Sequence, residues 1–142
     1  MQLTIHTDYA LRTLIYLAIH ANNEGPATVK DIARRYDISA NHVAKVVQTL
    51  VQLGYVTSTR GRGGGLLLAK EPSAINIGTL VRQTENMKLL ECFGTDSPCP
   101  IDASCKLKRI LAQAQEAFLQ TLGNHTLAGL ISNERELRLL LQ

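Results

Sequence analysis

The sequence predicts a mainly α-helical fold with one short β-hairpin set into it. Three observations lead there. Apolar residues recur at helical spacing through most of the chain. The two strand-like runs, "YVTST" and "LLLAK", are short and flank a glycine-rich turn. The chain is 45% hydrophobic but only 4% aromatic, with no Trp, so its interior is aliphatic. A length of 142 residues suits one domain, or two small lobes sharing a core.

Leu11, Leu14, Ile15 and Ala18 follow the i, i+3, i+4, i+7 rule and predict a helix over residues 7–21. Thr7 would cap it, with Asp8 in the first turn beside the positive end of the helix dipole. "NNEGP" then breaks the chain. A second helix starts near Thr28, which with Asp31 three residues on resembles a capping box. Ile32, Ala33 and Tyr36 form its apolar face. "YDIS" makes a turn, and Ser39 caps a third helix running to about Leu53. Val43, Val46, Val47 and Leu50 are that helix's buried stripe. Asn41, Lys45, Gln48 and Gln52 lie opposite, with His42 at the border. Gly54 suits the stop.

Helix, helix, turn, helix and hairpin together outline a winged helix-turn-helix, assigned to residues 1–71 as a DNA-binding domain. Pro72 and Ser73 mark its end. In residues 72–142, "INIGTLVRQTE" reads as a short helix, followed by a cysteine-bearing stretch and a longer helix from about Ala103. Leu107, Ile110, Leu111, Ala114, Ala117, Phe118, Thr121 and Leu122 stand near heptad spacing on that longer helix. The small front lobe offers little surface to cover so long a stripe, which favours a second copy of the chain and a dimerisation helix. Gly123 and Asn124 end it, and an amphipathic segment, "LAGLISNERELRLLL", closes the chain.

Charge follows the same division. Residues 1–70 carry eight Lys and Arg against four Asp and Glu, whereas residues 71–142 carry seven against eight. A basic front half suits a polyanion. Asn and Gln pair bidentately with adenine, and Lys reaches guanine or phosphate, so Asn41, Lys45 and Gln48 can read base edges from a major groove. A polar helix face alone is simply a solvated face. The turn "RGRGGG" shifts the balance: Arg60 and Arg62 supply charge, and the glycines let the backbone approach a phosphate or the minor groove. The turn matches neither a P-loop nor the dinucleotide fingerprint. The candidate contacts to double-stranded DNA are Thr28, Ser39, Asn41, His42, Lys45, Gln48, Arg60, Arg62, Gly63 and Gly64.

All three cysteines fall within "CFGTDSPCPIDASC", at 92, 99 and 105. The spacing contains neither the CxxC knuckle of structural zinc nor the tight run of a ferredoxin, so it identifies no metal. One metal site wrapped by three thiolates, three free thiols, and a redox disulfide with one thiol left over all remain open on spacing alone.

The blocks "MQLTIHTDYALRTLIYLA", "SANHVAKVVQTLVQLGYVTSTRGRGGGLLLA" and "LLECF…CPIDASCKLK" resemble, in this order and over essentially the whole chain, the iron–sulfur winged-helix repressors. The resemblance is nearest to the family's nitric-oxide-sensing branch. It implies a homodimer on a pseudo-palindromic operator, with one 4Fe–4S cluster per subunit held by Cys92, Cys99 and Cys105. The implied fourth ligand is Asp8 from the partner subunit. Another branch carries a His three residues after the last cysteine, where this chain has Lys108, and a further branch lacks the aspartate in the first helix. A repressor reporting iron or cluster status is the alternative within the family. A zinc-dependent regulator and a small electron-transfer protein are alternatives outside it.

An enzyme is not expected. No acid pair, Ser–His–Asp order or phosphate loop stands out, and His6, His20, His42 and His125 are scattered. No apolar run approaches the roughly 18 residues of a membrane span, and the N-terminus lacks the basic start of a signal peptide, so a cytoplasmic protein without a membrane partner is expected.

Overall fold

The computed structural model describes residues 2–21 and 25–141. Seven α-helices and one hairpin are found there: α1 (Ile5–His20), α2 (Val29–Tyr36), α3 (Ala40–Gln52), β1 (Val56–Thr59), β2 (Gly65–Leu68), α4 (Ile77–Thr84), α5 (Lys106–Gly123), α6 (Leu127–Leu130) and α7 (Glu134–Leu140). The fold is mainly helical, as the sequence predicts.

α1 begins two residues earlier than its apolar spacing suggests. Its cap is Thr4, whose hydroxyl accepts the Thr7 N–H, and not Thr7. Thr7 is instead buried, donating its hydroxyl to Thr84 at 3.1 Å. Glu85 completes this junction by accepting both the Thr4 N–H at 2.8 Å and the Thr4 hydroxyl at 3.1 Å. Burial pushes the Glu85 carboxyl up, but hydrogen bonding from Thr4, Thr7 and Asn86 together outweighs it and holds it below the usual range. The buried face of α1 is also wider than the four-residue stripe, taking in Ala10, Tyr16, Leu17 and Ile19. The reason is topological: α1 packs against α3, β2, α4, α6 and α7 at once. The break expected at "NNEGP" falls partly outside the described residues.

The capping box at α2 forms in full. Thr28 Oγ1 accepts the Asp31 N–H at 3.2 Å and donates to Asp31 Oδ2 at 2.6 Å, while the Thr28 N–H donates to Asp31 Oδ2 at 2.9 Å. Hydrogen bonding from Thr28 holds the Asp31 carboxyl below the usual carboxylate range, against a smaller opposing effect of burial. Its folded pKa is depressed, so the box contributes stability above the unfolded carboxylate range and loses it as pH falls through the folded value. Thr28→Ala is expected to cost about 1 kcal/mol. A lower urea midpoint at pH 7, narrowing toward wild type in acid, checks this.

The α2–α3 turn passes through Asp37 in a left-handed conformation, and the Ile38 N–H bonds to the Ala33 carbonyl at 2.9 Å. Ser39 caps α3. At the far end Gly54 takes a φ of 74°, its N–H bonds to the Val51 carbonyl, and the Tyr55 N–H bonds to the Leu50 carbonyl. These two bonds are a Schellman closure, and its positive φ is why glycine stands there.

β1 and β2 pair antiparallel, Val56 opposite Leu68 and Thr59 opposite Gly65. A single-residue bridge from Ala27 to Leu66 adds a third partner on the free side of β2. The core is one continuous cluster reaching from Ala10 to Leu127.

α5 starts at Lys106, after a single 3-10 turn over Asp102–Ser104, and not at Ala103. It seats on α4 through Leu119, 4% exposed, a position the heptad stripe leaves out. Leu107 and Ile110 of that stripe are 58% and 59% exposed. The final segment folds as two short helices, because Ser132 and Asn133 interrupt it between α6 and α7.

Candidate nucleic-acid interface and cysteine loop

The buried stripe of α3 is Val43, Val46, Val47 and Leu50, which anchors the helix and fixes which face points outward. Asn41, His42, Lys45, Gln48 and Gln52 are all exposed on it. This is the recognition helix of the winged fold, held by α1 and α2 behind it.

The wing tip is built by its glycines. Gly61 and Gly63 have φ of 100° and 80°, and the Gly64 N–H closes the turn on the Gly61 carbonyl at 3.0 Å. A Cβ on Gly64 would stand 2.3 Å from the Thr59 carbonyl oxygen, so no side chain fits. Gly63 and Gly64 therefore shape the turn, and Arg60 and Arg62 project from it, exposed. Thr28 and Ser39 stand at the starts of α2 and α3, where their hydroxyls already serve as caps. Arg34 and Arg35 are two further exposed cations on α2 that apolar spacing does not single out. Arg34 bonds to Asp31 at 3.2 Å. Their i, i+1 placement in the last turn of a helix-turn-helix is the signal that could have found them.

The three cysteines are free and half-buried. Cys105 occupies a position the sequence did not disclose: it is the N-cap of α5, its Sγ accepting the Lys108 N–H at 3.4 Å. The 3-10 turn leads into it, with the Asp102 N–H on the Cys99 carbonyl and the Cys105 N–H on the Asp102 carbonyl. Lys108 then reaches back to Asp102, its Nζ donating to both carboxylate oxygens at 2.8 and 2.9 Å. That bond raises the Lys108 ammonium above its ordinary pKa, as do the nearby Cys92 and Cys105 sulfurs. Residues 99–108 thus form a latched loop whose last sulfur sits at the positive end of an 18-residue helix.

Among the described residues no three His, Cys, Asp or Glu side chains lie close enough together to hold a metal ion. The single chain therefore does not gather the predicted ligand set. Asp8 faces Arg12 of its own chain in a fork, with Nε to Oδ1 at 3.0 Å and Nη2 to Oδ2 at 2.8 Å. The Arg12 guanidinium also lies 5.9 Å from the Tyr9 ring centre and 5.7 Å from that of Tyr36 at the end of α2. Burial pushes the Tyr36 phenol up to about 12. The Tyr9 ring in turn stands 6.3 Å from that of His42 on α3. A short chain of contacts joins Asp8 to both helices of the helix-turn-helix.

The donor chemistry suits an iron–sulfur group. Three reduced thiols in one loop are soft ligands, none is used in a disulfide, and one is held at a helix N-terminus.

Comparison with known proteins agrees with this architecture. The family described as "Rrf2: Iron-dependent Transcriptional regulator" matches residues 3–133. The HTH-type transcriptional regulator NsrR of Shouchella clausii is 46% identical over 144 aligned positions, spanning 100% of this chain and 96% of that protein. The NsrR of Bacillus subtilis is 44% identical, spanning 100% and 98%. Among solved structures, CymR, the global cysteine regulator of B. subtilis, superposes with a TM-score of 0.73 at 28% identity, covering 94% of this chain and 98% of that one. IscR of T. potens superposes at 0.74 and 26% identity, covering 94% and 88%. These relatives are named for regulation and not for catalysis. With a winged helix-turn-helix, an exposed recognition helix and relatives matched end to end, the chain belongs to the Rrf2 family as an NsrR-type transcriptional regulator.

Proposed function

We propose that this regulator is a cytoplasmic, homodimeric repressor that responds to nitric oxide through one 4Fe–4S cluster per subunit. Cys92, Cys99 and Cys105 would hold the cluster, and Asp8 of the partner subunit would supply the fourth ligand. The observation that carries this reading is the latched loop that brings Cys105 to the N-terminus of α5. When bound, the cluster supplies iron that nitric oxide can ligate. A carboxylate is a harder ligand than a thiolate, so Asp8 would be the most weakly held of the four residues that would ligate the cluster.

The chain's own groups explain how displacement reaches DNA. Asp8 has two engagements open to it, the fork of Arg12 and the partner's loop. Arg12 is shared between Tyr36 on α2 and Tyr9, which leans on His42 of α3. Those contacts coexist with Asp8 on Arg12; engagement of Asp8 by the partner's loop would redraw them and reorient the recognition helix, and its return to Arg12 would restore them. In the dimer, two α3 helices enter successive major grooves of a pseudo-palindromic operator. Asn41, His42, Lys45 and Gln48 read bases, and Arg60 and Arg62 hold phosphates beside Thr28, Ser39, Gly63 and Gly64. Residues 1–71 do this work, and residues 72–142 carry the cluster loop and the dimer contact. The exposed Leu107 and Ile110 support that contact, as does an apolar cavity of ≈ 330 Å³ on the same side of α5, lined by Leu3, Met87, Leu89, Leu111 and Phe118.

The test is a nitric oxide titration of anaerobically purified protein, read by absorbance and by operator gel shift together. Operator release in step with loss of the cluster absorbance is expected. Unchanged affinity refutes the reading. Asp8→Ala is expected to weaken operator binding by the cluster-loaded protein about tenfold. In the Arg60→Ala, Arg62→Ala double variant, binding should fall evenly on all sequences. The slope of log K against log salt should shrink by about 0.9 for each phosphate that is no longer neutralised.

A second reading, a repressor of iron or cluster status, is favoured by the iron-dependent description of the family. Operator release on iron chelation, with none on nitric oxide, selects it.

A further inference from the structure

Beyond its backbone part in the Schellman closure of α3, Tyr55 touches three elements. Its backbone N–H closes the end of α3 on the Leu50 carbonyl at 2.9 Å. Its carbonyl accepts the Ala69 N–H at 2.9 Å, joining the two ends of the wing. Its ring is 4% exposed and carries the Lys70 ammonium 4.6 Å from its centre. Its hydroxyl leaves the core and donates to Gln83 Oε1 on α4 at 2.7 Å.

α4 is in turn fastened to α5. Arg82 forks onto Glu116 at 2.9 and 3.1 Å, Asn76 donates to the Gly123 carbonyl, and Gly78 lies directly against the α5 backbone. α5 begins at Cys105. One path of contacts therefore runs from the cysteine loop along α5, across to α4, and through the Tyr55 hydroxyl to the junction of recognition helix and wing.

We propose that Tyr55 and Gln83 form a positioning contact through which the state of the cysteine loop sets the orientation of the recognition helix within one protomer. This rests on the cluster reading above and differs from the Asp8–Arg12 route, which runs between protomers. Val56 and Leu80 belong to one non-directional apolar core, whereas the hydrogen bond at 2.7 Å is directional and ties α4 to the residue that ends α3. Burial raises the Tyr55 phenol above its ordinary pKa, so it remains a donor. Gln83 is exposed, so water can replace it and the fold survives its loss.

The experiment uses Tyr55→Phe, Gln83→Leu and the double variant as full-length dimers. Operator affinity is measured for the cluster-loaded and cluster-free forms of each at one salt concentration, beside the urea midpoint. The loaded-to-free affinity ratio is expected to fall about three- to tenfold in each single variant, and no further in the double. A ratio unchanged in Tyr55→Phe, even with reduced stability, shows a purely structural hydroxyl and overturns the inference. So do single effects that simply add. A wild-type ratio of one removes the cluster reading and this inference together. A large wild-type ratio that the variants leave intact removes this inference alone.

Discussion

Cys105→Ala is expected to purify without bound iron or sulfide and to lose specific operator binding. Two functions meet at this sulfur. It is a proposed ligand, and it is also the N-cap of α5, accepting the Lys108 N–H. A sulfur is a weak acceptor, so losing this cap costs less than the roughly 1 kcal/mol of an oxygen cap and does not unfold the chain. Losing one of three thiolates leaves a cluster with two cysteines and a carboxylate, a set too poor in soft donors to retain it. Cys105→Ser separates the two effects. Serine caps a helix well but is a hard ligand, so this variant should recover the stability of α5 while remaining colourless. Iron and sulfide analysis after anaerobic reconstitution checks both. Iron at wild-type level in either variant refutes a ligand role for Cys105.

Gly78→Ala should destabilise the chain by about 2 kcal/mol, against the trend of helix propensity. Inside an exposed helix the change would gain roughly 1 kcal/mol. Here a Cβ would stand 2.6 Å from both the Gly123 nitrogen and the Leu119 carbonyl oxygen. Both atoms are backbone, so α4 and α5 must move apart, and overpacking of that kind costs about 1–3 kcal/mol or more. The separation would also open the Asn76 bond to Gly123 and the Arg82–Glu116 fork. Gly123→Ala is the control, since its Cβ would meet only Asn76 Oδ1 at 4.0 Å. It should stay within about 0.5 kcal/mol of wild type. Urea midpoints for the two variants decide the matter: equal values contradict the close helix contact, and a loss confined to Gly78→Ala supports it.

The contrast between these two glycines shows where sequence patterns run out. Both sit in helices and look alike as letters, yet one is a contact surface and the other is spacious. α5 makes the same point. Its apolar letters suggest one stripe, but Leu119 lies outside that stripe and seats the helix on α4, while Leu107 and Ile110 stay exposed. Periodicity identifies apolar faces; it does not say which face meets which neighbour. Thr7 likewise resembles a cap in the sequence, because a Thr before Asp is a common helix start, but the true cap, Thr4, is stabilised by Glu85, 81 residues away.

Local chemistry by itself determined the capping box at Thr28, the glycine stop after α3, the polar face of the recognition helix and the glycine-shaped wing. Each depends on hydrogen bonds or steric limits acting within a few residues. Only the tertiary structure decided that α1 is enclosed by five elements, that Cys105 begins α5 with Lys108 latched onto Asp102, and that Asp8 is linked through Arg12 and Tyr9 to α3. The enclosure of α1 and the contacts of Arg12 with Tyr36 and of Tyr9 with His42 join distant segments, whose free energy is settled by packing; the Cys105–Lys108–Asp102 latch spans only six residues, but apolar spacing does not read thiol, amine and carboxylate partners.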